Sequence, residues 1–65
     1  MLDVEHALLA ERFQHLLEQE RQAEQTYAEL AQRAEEPAVR EQLELLVREK
    51  RHHTELVQRL LEIVE

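Results

Sequence analysis

The chain has 65 residues, of which 35% are charged, with a net charge of −7, no cysteine, no glycine and one proline. That length holds at most one small domain, and the missing cysteine removes disulfides, thiolate metal sites and a cysteine nucleophile. The excess of acid repels phosphate backbones and anionic lipid surfaces, so neither a nucleic acid nor a membrane is an expected partner.

The first predicted element runs from about residue 2 to 34. Its apolar stripe is Leu2, His6, Leu9, Phe13, Leu16, Glu20, Ala23, Tyr27, Leu30 and Ala34, with steps alternating between four and three. That rhythm belongs to a helix packed along one face. Asp3 is placed to cap the first turn, with Leu2 before it as a hydrophobic staple. The stretch "RAEEPAVRE" then breaks the pattern. Pro37 costs a hydrogen bond inside a helix but suits the first turn of a new one, and it pushes Glu36 out of helical geometry. A tight connection is therefore predicted at about 35–37. The connection has no glycine and no side-chain cap, so a single kinked helix in a long coiled coil is the competing layout.

The second predicted helix covers about 38–64. Its strongest stripe is Val39, Leu43, Leu46, Lys50, His53, Val57, Leu60 and Val64, beside a second one of Leu45, Glu49, His52, Leu56 and Ile63. The apolar face is wider than a two-stranded seam needs, as in a multi-helix bundle. A chain of this size buries only about 60% of its unfolded surface, so a partner is expected. The fold class that follows is all-α: an antiparallel helical hairpin, one domain over 1–65, that dimerises into a four-helix bundle. The acidic start "MLDVEH" is unlike a signal peptide and no apolar run spans a bilayer, which points to the cytoplasm.

Polar residues in the stripes carry the functional reading. A carboxylate at Glu20, inside an apolar seam, is costly unless paired or bound to a cation. Glu49 and His52 are three apart and share a helix face, so carboxylate oxygen and imidazole nitrogen can converge on one ion. At about 1.5 Å per residue, Glu20, Glu49 and His52 fall at roughly the same height, near the middles of the two helices. Two hairpins related by a two-fold axis at that height bring together four glutamates and two histidines, the ligand set of carboxylate-bridged di-iron or di-manganese bundles. His53, on the strongest stripe, is read as a packed or supporting histidine rather than a ligand, although a small rotation of the helix exchanges it with His52. Glu24, one turn from Glu20, is a weaker candidate for an iron access path. His6 and His15 are read as end and surface residues, and Arg40 with Glu44 as a solvated pair. Nucleophilic hydrolysis has no support, since serine and cysteine are absent and neither Thr26 nor Thr54 has a base together with an oxyanion loop.

"ERQAEQTYAELAQRA" from Glu20 to Ala34, followed by "EKRHH" from Glu49 to His53, resembles the rubrerythrin branch of the ferritin-like superfamily. Glu20, Ala23 and Tyr27 fall on its Glu-x-x-Ala-x-x-x-Tyr motif, and Glu49 with His52 on its Glu-x-x-His motif. The chain is most similar to the encapsulated ferritins, which build a di-iron site between two-helix subunits. The resemblance implies ferroxidase chemistry, oxidation of Fe(II) with O2 or peroxide. Glu20 would bridge the metals, Glu49 would chelate or bridge, His52 would cap each iron and Tyr27 would be a redox-active or hydrogen-bonding neighbour. It implies two irons per dimer, with manganese as the other candidate. The implied partners are a second copy, in a dimer or larger even-numbered oligomer, and an encapsulin shell, with a protein nanocompartment as the location. Two other readings compete: iron storage or delivery without catalysis, and a metal-free hairpin dimer acting as a structural or interaction module.

Overall fold

The computed structural model describes residues 3–65 and contains two α-helices, α1 (Val4–Arg33) and α2 (Pro37–Val64), packed antiparallel as a hairpin, with no strand among the described residues. Met1 and Leu2 lie outside the described residues, and with them the staple expected of Leu2. The Cα trace is a rod of 55 × 13 × 10 Å, two helices in one layer. No helix among the described residues is long and apolar enough to cross a membrane.

The start of α1 follows from its sequence. Asp3 is extended, and its carboxylate accepts from the Glu5 N–H at 3.0 Å, satisfying one of the amides a helix start leaves free. Replacing Asp3 by alanine is expected to cost about 0.5–1 kcal/mol, seen as a lower urea midpoint, whereas Asp3→Asn should retain most of the cap.

At the connection, Ala34 and Glu36 both leave helical geometry for extended ψ values of 124° and 124°. Pro37 sits at the first position of α2, where a missing N–H is harmless, and Glu36 has no side-chain cap. Across the bend, Arg40 Nη2 donates to the Ala34 carbonyl at 2.7 Å, which caps the end of α1 rather than the start of α2. This corrects the expected Arg40–Glu44 pair. The guanidinium finds a carbonyl freed at the end of α1, which offers a more fixed partner than a solvated carboxylate.

The interhelical core is thin. Among the described residues only Leu17, Ala31 and Leu61 are buried, while Leu9, Phe13, Leu43, Leu46, Val47 and Val57 are half-buried. None of the three buried residues belongs to the stripes read from the sequence. Leu16 and Leu30, which do, remain 42% and 47% exposed. The cause is the width of the apolar face: α2 covers one edge of it on α1 and leaves the other edge open. On α2 the same offset buries Leu61 and leaves Leu60 at 45% exposure.

The two open edges lie on one side of the hairpin. In each helix the exposed apolar residue comes one position before a seam residue: Leu16 before Leu17, Leu30 before Ala31, Leu56 before Val57, Leu60 before Leu61. An antiparallel pair is related by a two-fold axis perpendicular to the plane of its axes, and that operation keeps equivalent residues on the same side. Leu16, Ala23 and Leu30 of α1 therefore share one flank with Leu45, Leu56, Leu60 and Ile63 of α2, interrupted at its middle by Glu49 and His53.

Candidate functional site

Glu20 stands near the middle of α1 and is half-buried against α2. Its side chain is 18% exposed, and Lys50 Nζ lies 3.3 Å from Oε2. The same ammonium donates to Oε1 at 3.5 Å, so it straddles both carboxylate oxygens. Lys50 is itself 25% exposed, its aliphatic stem lying along the seam and its charge at the centre. One turn later Thr54 Oγ1 donates back to the Lys50 carbonyl at 2.9 Å, tying down that turn of α2.

His53 completes the cluster, with Nδ1 3.4 Å from Glu20 Oε2 and its outer half in the open, at 51% exposure. Oε2 is nonetheless a buried oxygen without a hydrogen bond: neither nitrogen is angled to donate to it, so its contacts are electrostatic. A second, more exposed rung follows, Arg51 Nη2 to Glu24 Oε2 at 3.4 Å. Glu24, the candidate for an iron access path, is thus held by an arginine.

The other candidates are dispersed. Glu49 is exposed on the flank. His52 points away from the seam, 65% exposed, with Glu55 Oε2 4.0 Å from its Nδ1. Tyr27 is half-buried two turns from Glu20. His6 lies 3.7 Å from Asp3 Oδ2, at the end of the rod. His15 is exposed. A shallow groove on the face opposite the flank, floored by Ala28, Ala31 and Val47, is rimmed by Arg40, Arg48 and Arg51. Two of those arginines are already engaged, with Ala34 and Glu24.

The ligand set implied by the ferritin-like resemblance can be set against this geometry. Glu20, Glu49 and His52 do not converge within one chain, and no group of three His, Asp or Glu side chains able to hold a metal occurs among the described residues. At the one carboxylate that burial makes needy, the neighbouring charge is Lys50. An ammonium in contact with both oxygens occupies the approach a divalent ion would use and repels it. The expected centre draws its ligands from two copies; within one hairpin the neighbours of Glu20 are Lys50 and His53. Lys50 is the member that sequence reasoning missed, although its position on the strongest apolar stripe of α2 was the available signal: a lysine there needs a counter-charge, and Glu20 lies opposite.

No family model, no curated protein and no solved structure matches the chain.

Proposed function

We propose that this chain is a metal-independent assembly module, a helical hairpin that associates with a second copy through its apolar flank to give a four-helix bundle. The observation that carries this reading is the imbalance between core and surface: three residues are buried, while Leu8, Leu16, Leu30, Leu45, Leu56 and Leu60 are each 41% exposed or more. A domain this small with so thin a core is poorly stable alone, and apolar clusters toward both ends of one flank mark an interaction surface. A second copy suits it because the polar residues of the flank, Glu49 and His53, sit near the midpoint of α2. A copy turned end for end lays the elbow-side leucines, Leu30 and Leu45, on the open-end leucines of the other. At the centre, Glu49 and His53 of one copy would then face those of the other. The test is mass in solution together with thermal unfolding over a hundredfold range of concentration. A dimer or higher even-numbered oligomer whose melting temperature rises with concentration supports the reading, and a monomer with an invariant melting temperature removes it.

The di-iron ferroxidase remains a second reading. It is favoured by one observation, the buried Glu20 Oε2 that has no hydrogen bond. It requires Lys50 to leave Glu20 when iron binds. Stopped-flow oxidation of Fe(II) decides it: an initial rate above that of buffer, lost in Glu20→Gln, would establish it over the metal-independent reading.

A further inference from the structure

We propose that Lys50 is the resident cation of Glu20, closing to divalent metals a site that Glu20 and His53 would otherwise offer. The inference stands on the seam contacts and not on the association of copies.

Lys50 comes from the opposite helix and contacts both oxygens of Glu20, at 3.3 and 3.5 Å. Its position is enforced from two directions. The stem runs through the interhelical seam, which Leu43, Val57 and Leu61 of α2 also enter, and the Thr54 back-bond fixes its turn. His53 approaches the same oxygen through a ring nitrogen at 3.4 Å and is the one imidazole to do so. A carboxylate and an imidazole of this separation, one turn from a third position on α2, are the beginnings of a borderline-metal site. What fills that third position is an ammonium, which supplies charge without offering a lone pair. The seam is thereby neutralised whether or not metal is present, and the fold carries no dependence on it.

Removing the ammonium should open the site. Co(II) is the probe, because its visible spectrum reports coordination directly. Purified wild type, Lys50→Gln and Lys50→Glu are titrated with Co(II), following absorbance and melting temperature. Wild type is expected to show weak binding and an unchanged melting temperature. Lys50→Glu, which sets a carboxylate one turn before His53, is expected to bind at least about tenfold tighter, the scale of removing a like charge at contact distance. Its metal should raise the melting temperature, and His53→Ala in that background should abolish both effects. Tight Co(II) binding by wild type that Glu20→Gln abolishes would overturn the proposal, as would variants that bind no better than wild type.

A second measurement holds even if Lys50→Glu folds poorly. Without metal, Lys50→Gln alone should lower the melting temperature, and Glu20→Gln combined with it should recover at least half of the loss, because the stranded carboxylate is gone. A single substitution with no effect would show that the ammonium does not neutralise Glu20. Mass in solution is read separately, so failure here is distinguishable from failure of the assembly reading.

Discussion

Leu17→Ala is expected to lower the unfolding free energy by about 2–4 kcal/mol, a large part of what a chain of this length has in total. Leu17 is 8% exposed at the centre of the helix pair, where the rod is too narrow for a third layer to collapse into the vacancy. Leu61, also 8% exposed, should behave alike. Leu16→Ala is the control: at concentrations low enough to keep the chain monomeric, its loss should stay near or below about 1 kcal/mol, since much of that side chain is already in water. Urea unfolding followed by circular dichroism separates the three. Equal losses at Leu16 and Leu17 would mean that α2 does not cover the edge of α1 described above.

Leu16→Glu combined with Leu56→Glu should have the opposite signature. Each replaced side chain is more than two-fifths exposed in the hairpin, so a carboxylate can reach water there and the single hairpin loses little. In the bundle the same groups would be shut between copies, unpaired, in a molecule already at −7 per chain. Association is expected to weaken by roughly 100-fold or more. Light scattering should show the monomer mass where wild type is dimeric, and the concentration dependence of melting should vanish. A variant that keeps its mass would show that copies meet through another surface.

The architecture was largely legible because it rests on local chemistry. Pro37 marks the bend, and the periodic leucines make two helices rather than strands. The facing register was not legible, for a physical reason. Leucines come in adjacent pairs, Leu16–Leu17 and Leu60–Leu61, and either member satisfies the periodicity. The choice between them depends on how α1 and α2 rotate against each other, which no single helix encodes. The same rotation decides the site. It turns His53 toward Glu20 and His52 toward water, the exchange the sequence had left open, and it brings in Lys50. Reading Glu49 and His52 as a pair used spacing along one helix; the contacts to Glu20 are set across two.

The bend between the helices has no residue with positive φ. Each residue from Ala34 to Glu36 keeps to backbone angles open to nearly any amino acid, and the course of the chain is set by Pro37 and tethered by Arg40. Substitutions can therefore accumulate at Ala34, Glu35 and Glu36 without redirecting the helices, so long as the proline survives. An elbow built in this way is free to drift in composition while the geometry it imposes stays fixed.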